Sequence, residues 1–236
     1  MRERGRMTKK QVIAAAIKLK DEPKYFEIYR KVMAVEELPR QEECARLMER
    51  VDKRFGEQTY AYMLARNGYF QVVHDKLIAD LKKLTRKLGT QKNLEICSGW
   101  GKISYHLNKS GVEIKATDKK GSKHVEGLNH RRALEKYNPD FVIASSPPLD
   151  SIVFDTLRHK SVKHLLVIAK GSKISILHGS TIARLAKSSP VDLSTFPSCL
   201  DGMYGSGWQG NYFGKRVFDF SMSLLENALF TTYRQD

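Results

Sequence analysis

Two acids and two glycines define the chemistry open to this sequence. In Leu94-Glu95-Ile96-Cys97-Ser98-Gly99-Trp100-Gly101-Lys102-Ile103, an apolar run gives way to small residues and then to a helical pattern. A strand, turn and helix start of this kind aims backbone amides at a ligand, and Gly99 and Gly101 let it come close because they carry no side chain. Glu95 lies beside the turn, where a carboxylate accepts hydrogen bonds from an ammonium group or organises the loop. Asp118, in Ala116-Thr117-Asp118, follows about twenty residues later, the interval at which nucleotide-binding α/β sheets bring an acid on the adjacent strand to ribose hydroxyls. Together the two acids suggest an adenosine cofactor. A nicotinamide dinucleotide is a further reading, since Gly99-x-Gly101-x-x-Ser104 is close to that fingerprint, but its pyrophosphate over the turn would meet Glu95.

Two other stretches carry candidate chemistry. Pro139-Asp140-Phe141-Val142-Ile143-Ala144-Ser145-Ser146-Pro147-Pro148-Leu149 reads as a buried strand ending in two prolines at the expected site edge, followed by Asp150. A Pro-Pro turn that merely ends a strand explains the same residues. Residues 201–216 combine repeated glycines with Tyr204, Trp208, Tyr212 and Phe213 beside Lys215 and Arg216. That is the composition of a loop that stacks bases, and equally of a long hairpin loop whose aromatics fold onto the core.

The glycine-turn residues resemble the class I, Rossmann-like S-adenosylmethionine-dependent methyltransferases, whose first motif is an acid followed by GxGxG. Glu95 matches the acid, Gly99 and Gly101 match the last two glycines, and Cys97 stands where the first glycine would be. A cysteine is accommodated there if the turn keeps a negative φ. The resemblance implies that Glu95, Cys97, Ser98, Gly99 and Gly101 surround the methionine part of the cofactor and that Asp118 holds the ribose. Trp100 lies against the cofactor or caps the sheet, and Asn129 stands where a polar residue meets the adenine amino group. Ser146-Pro147-Pro148 resembles the (Asp/Asn/Ser)-Pro-Pro-aromatic signature of enzymes that methylate exocyclic amino groups of bases, with Leu149 in the aromatic place. Ser145, Ser146 and Asp150 are the candidates for the acceptor side.

These residues need a sheet to position them. After Gly89 short β-rich runs alternate with helical stretches, the signature of βαβ units. Strands are expected at 94–97, 112–117, 125–128, 141–144, 165–169, 191–196 and 217–221, and helices at 102–109, 130–137, 151–157 and 181–187. The fold class is α/β: a Rossmann-like, seven-stranded, mostly parallel sheet with helices on both faces, preceded by an α-helical N-terminal region. Residues 1–89 form that basic region, a substrate-binding module or a cap, and residues 90–236 form the methyltransferase-like domain. In the N-terminal region Thr8 is a candidate N-cap, with Val12, Ile13, Ala16 and Ile17 on the apolar side of the first helix. Phe70, Val73, Leu77, Leu81, Leu84 and Leu88 line one stripe of its last helix, closed by Gly89. No helix-turn-helix signature and no internal repeat is found.

Composition bounds the partners. The formal net charge is +15, and more than half of the excess falls in residues 1–89. Such an excess concentrates polyanions at the surface, so nucleic acid is the natural partner; the resemblance implies RNA ahead of DNA, because large basic methyltransferases that act on RNA are common. A basic face that only keeps the protein dispersed is the alternative. Three cysteines far apart and seven histidines without metal-type spacing indicate neither a disulfide framework nor a zinc site, and a reducing compartment fits. No apolar run is long enough for a membrane span, and Arg2-Glu3-Arg4-Gly5-Arg6 has no hydrophobic region behind it, so the expected location is intracellular, cytoplasmic or nuclear. The expected activity is direct methyl transfer to nucleic acid; the alternative is a catalytically inactive fold of the same type, serving as a nucleic-acid or protein binding subunit. The oligomeric state is not legible.

Overall fold

The computed structural model describes residues 9–56, 59–69, 72–147, 150–170 and 208–214. Four helices come first: α1 (Lys9–Leu19), α2 (Pro23–Met33), α3 (Gln41–Phe55) and α4 (Thr59–Arg66). Their ends follow local chemistry. Pro23 opens α2, where its missing amide is no loss, and the Glu43 carboxylate accepts the Arg40 amide at 2.8 Å to start α3. These helices share a core of their own around Leu19, Val32, Leu47, Val51, Tyr60 and Met63. In α1 the apolar side expected from the sequence is corrected in part: Ile13 and Ile17 are exposed, while Ala16, half-buried, packs on this core together with the buried Ala15 and Leu19. Fit against the neighbouring helices chose that face, because apolar residues occur on both. Thr8 lies outside the described residues.

The next helix, α5 (Asp75–Leu88), starts later than its apolar stripe suggests. His74 accepts the Leu77 amide on Nδ1 at 3.3 Å and so caps the helix, leaving Val73 buried ahead of it. Burial pushes the His74 imidazole down to about 4, which keeps that nitrogen an acceptor. Gly89, at φ 62°, ends the helix as expected.

Among the described residues a six-stranded sheet follows, with β1 (Asn93–Ile96), β2 (Ile114–Asp118), β3 (Glu126–Gly127), β4 (Phe141–Ser145), β5 (His164–Lys170) and β6 (Trp208–Gly214). Helices α6 (Lys102–Lys109), α7 (His130–Tyr137) and α8 (Asp150–Arg158) connect the first five strands. The order is β3-β2-β1-β4-β5-β6, the first five parallel and β6 antiparallel to β5. This is the doubly wound arrangement, with helices on both faces. Along β4, Val142 and Ala144 enter one core with α7 and α8, while Phe141 and Ile143 enter the other with α5 and α6. Period-two burial on both faces is why these strands read as continuous apolar runs.

Two expectations change here. Residues 208–214, read as part of a loop, are β6: glycines and polar residues suggested a turn, yet register with β5 over His164–Lys170 pairs all seven residues. The strand expected at 125–128 shrinks to Glu126–Gly127. Strands at 191–196 and 217–221 and the helix at 181–187 fall outside the described residues. No helix among the described residues is long and apolar enough to cross a membrane.

Candidate functional site

In an open parallel sheet the connections from β1 and β4 leave in opposite directions, and the gap between their carboxyl ends is where ligands bind. Here that gap is bordered by the glycine turn after β1 and by Ser145 at the end of β4, with Ser146 next in the chain. Asp118 stands at the tip of β2 beside them: its Oδ2 accepts the Gly99 amide at 3.1 Å and its Oδ1 accepts the Lys120 amide at 3.3 Å. Ser98 is stitched to the same strand, with its amide and its hydroxyl both donating to the Thr117 carbonyl, at 3.2 and 3.1 Å. The acid and the glycine turn expected to meet therefore do meet.

Glu95 does different work. Alternation along β1 sends Leu94 and Ile96 to the α7 and α8 side and Glu95 to the α6 side, where it is fully buried. Its Oε2 accepts the Ser104 amide at 3.1 Å and the Ser104 hydroxyl at 2.6 Å, and its Oε1 accepts the Ser145 hydroxyl at 2.7 Å. Burial pushes the carboxyl up to about 7, with the two hydroxyls holding it below what desolvation alone would produce. Of the two roles open to it, Glu95 organises: it ties β1, α6 and β4 together beneath the gap. The same hydrogen bonds engage the Ser145 hydroxyl, which is 3% exposed, so that group supports the site from below.

Cys97 departs from the condition the sequence placed on it. Its φ is 55°, in the left-handed region, and not negative. The GxGxG pattern has glycine there because a Cβ in that conformation costs about 1–2 kcal/mol. Burial also pushes its thiol up to about 12, so it is a packed, protonated side chain. Cys97→Gly is expected to raise stability by roughly 1 kcal/mol, since relief of that conformation is partly offset by the extra freedom of an unfolded glycine. Urea unfolding checks this, and no gain would show that the thiol's packing outweighs the backbone cost.

Gly101 closes the turn at φ 74°. A Cβ there would lie 2.5 Å from Val125 Cγ2 and 3.5 Å from the Ala116 Cβ, so only glycine lets α6 start this close to the sheet. At Gly99, φ 57°, a Cβ would lie 3.1 Å from the Gly68 carbonyl oxygen. That carbonyl belongs to the turn between α4 and α5, and it reveals what covers the site. The Trp100 indole N–H donates to the Asn67 carbonyl at 2.8 Å, and its ring stacks on Tyr69 at 6.5 Å between centroids. Trp100 thus pins the helical region onto the glycine turn, a role neither reading of the sequence assigned to it.

Lys102 makes a second tie. It is 3% exposed, and its ammonium donates to the carbonyls of Lys31, Val32 and Ala34 at 2.7, 3.0 and 2.6 Å, capping the C-terminus of α2. Burial lowers its pKa to about 8. A lysine on a helix reads as solvent-facing, so nothing in the sequence marked it. Lys102→Met is expected to cost about 2 kcal/mol, because three carbonyls lose their donor while the charge no longer needs to be buried. Thermal melting checks this; an unchanged midpoint would mean the carbonyls find water instead.

The remaining candidates fall as follows. Asn129 is exposed and caps α7, its side-chain carbonyl accepting the Arg132 amide at 3.0 Å. Ser146 has φ 48°, and its amide donates to the Ile168 carbonyl at 2.6 Å. Asp150 opens α8. Between Gly68, Tyr69, Val73, the glycine turn and Ser145 a cavity of about 20 Å³ remains, room for about one water.

The fold and site define a doubly wound α/β sheet whose switch point carries an acid-bearing glycine turn. No known protein family matches the chain, and no curated protein matches it. Among solved structures it is similar to the MycE methyltransferase from the mycinamycin biosynthetic pathway, in complex with Mg and SAH, at 16% identity and a TM-score of 0.31. The match covers 63% of this chain and 49% of that one, so the chain spans about half the length of that protein.

Proposed function

We propose that this chain is an S-adenosylmethionine-dependent methyltransferase acting on nucleic acid, RNA ahead of DNA, by direct transfer. The observation that carries the reading is the Asp118 carboxylate held 3.1 Å from the Gly99 amide at the mouth of the gap between β1 and β4. A carboxylate has about four lone-pair positions. The Gly99 and Lys120 amides take two, which leaves two for the paired hydroxyls of a ribose. The acceptor positions left on Asp118 therefore fit the nucleoside. The 20 Å³ cavity does not, so binding requires the Asn67-Gly68-Tyr69 turn to move off the glycine turn.

The cofactor supplies a methyl group activated by positive sulfur, so the chain needs no nucleophile of its own. Its residues align. Glu95, through Ser104 and Ser145, fixes the end of β4 against the start of α6. Ser146 and Asp150, on either side of the two prolines, border the acceptor, and rigid placement at that edge is where rate is gained. The test is transfer of radiolabelled methyl from S-adenosylmethionine to total RNA, DNA and protein. Label in RNA is expected; label in protein alone, or in none of the three, overturns the reading.

A second reading, an inactive fold of this type serving as a binding subunit, is favoured by two observations. Trp100, Tyr69 and Gly68 close the crevice, and Cys97 occupies a glycine conformation. Calorimetry separates the two, since a closed scaffold releases no heat with S-adenosylmethionine.

A further inference from the structure

A groove of about 660 Å³ lies along the β2 edge of the sheet, away from the glycine-turn crevice. It exists because β3 is only two residues long and pairs with Thr117 and Asp118 alone, leaving the first part of β2 uncovered between α6 and α7. Its volume is in the range of ligand sites.

The edge is not open to another β-strand. Asn108 donates to the Ile114 carbonyl at 2.9 Å and accepts the Ile114 amide at 3.1 Å, so the backbone groups a new strand needs there are already engaged. What remains are aromatic rings and ammonium groups. Tyr105 is half-buried and held by His124 edge-on at 5.0 Å, with the Lys109 ammonium 4.9 Å from its ring centre. Tyr137, also half-buried, lines the groove across from it with exposed Lys115. The acid lining the groove, Glu126, is bound by Lys136 and the Tyr137 hydroxyl, so its charge is compensated within the protein, and the exposed Glu113 pairs with Lys115 at 3.8 Å, a solvated contact that a phosphate can replace.

Rings that a base can cover, beside flexible cations that phosphates can draw away, suit a chain of nucleotides better than a peptide. We propose that this groove binds single-stranded nucleic acid, stacking bases on Tyr105 and Tyr137 and meeting phosphates with Lys109 and Lys115. The proposal rests on the nucleic-acid reading above and gives the strand a place on the protein.

The test uses the full chain and a fluorescein-labelled single-stranded RNA of mixed sequence, followed by anisotropy across a salt series. Tyr105→Leu is expected to weaken binding roughly tenfold, and Tyr105→Phe, which keeps the ring face, to leave it unchanged. The pair Lys109→Gln with Lys115→Gln should flatten the slope of log K against log salt by about 1.4, from about 0.7 for each phosphate that no longer meets an ammonium group. Melting curves confirm that each variant folds, and calorimetry with S-adenosylmethionine runs on the same samples. Wild-type binding that no variant alters overturns the groove but leaves the nucleic-acid reading standing. Absence of strand binding by the wild type overturns both. Binding of uridine or adenosine monophosphate without the strand overturns the groove's assignment to a strand, as does loss of S-adenosylmethionine binding in the groove variants.

Discussion

Exchanging Asp118 for alanine is expected to weaken S-adenosylmethionine binding by roughly 10²- to 10⁴-fold, with the fold retained. The magnitude follows from two ribose hydroxyls donating to a charged acceptor, each worth about 1.5–3 kcal/mol in a partly buried site. The same exchange removes the acceptor of the Gly99 and Lys120 amides, so the turn loosens as well. Asp118→Asn separates the two effects. Its carbonyl still serves the Gly99 amide, but its amide group meets the Lys120 amide and the hydroxyls with donors, so turn stability returns only in part while affinity does not. Calorimetry on the three proteins measures the ratio, and equal affinities would remove the ribose from Asp118.

The second large effect concerns pH. In the folded protein Glu95 is raised to about 7 from an ordinary 4.5, so the folded state holds its proton more tightly than the unfolded chain does. Stability from this group is fully present below about pH 4.5 and is lost as pH rises through about 7, by about 3 kcal/mol for a shift of this size. Glu95→Gln removes the titration and keeps the shape: its carbonyl accepts from Ser104, and its amide donates to a Ser145 hydroxyl turned the other way. The variant is expected to melt close to the wild type near pH 5 and roughly 6–12 °C above it at pH 8.5. Parallel melting curves from pH 5 to 8.5 would mean that Glu95 is charged throughout and held by its three hydrogen bonds. A gain in stability alongside lost methyl transfer would show that the buried carboxyl is retained for the site it organises.

The two exchanges also read out different things. Asp118 faces the gap and is expected to act on the ligand, whereas Glu95 lies beneath it and is expected to act through the ends of β4 and α6. A loss of affinity as large in Glu95→Gln as in Asp118→Ala would merge those roles.

What the sequence by itself determined was local. The run from Leu94 through Ile103 could only be a strand, a tight turn and a helix start, because apolar residues, small residues and a helical pattern succeed one another there. The spacing to Asp118 then brought an acid to the same sheet edge, since one helix and one return strand take up that length of chain. The bounds of α6 and α7 and the glycine ending α5 were legible for the same reason: periodicity and caps lie within a few residues of what they control.

Only the tertiary structure decided what those residues face. Whether Glu95 meets a ligand or two serines depends on Ser104 and Ser145, which reach it from other elements. Trp100 and Lys102 point at the helical region because residues 31–34 and 67–69 come back to the sheet, and no spacing encodes that return. The exposed Ile13 and Ile17, the β6 pairing and the positive φ at Cys97 are of the same kind. Each is set by partners distant in sequence, and burial and register against those partners outweigh the local preferences, from tenths of a kcal/mol for propensity to about 1–2 kcal/mol for the conformation at Cys97.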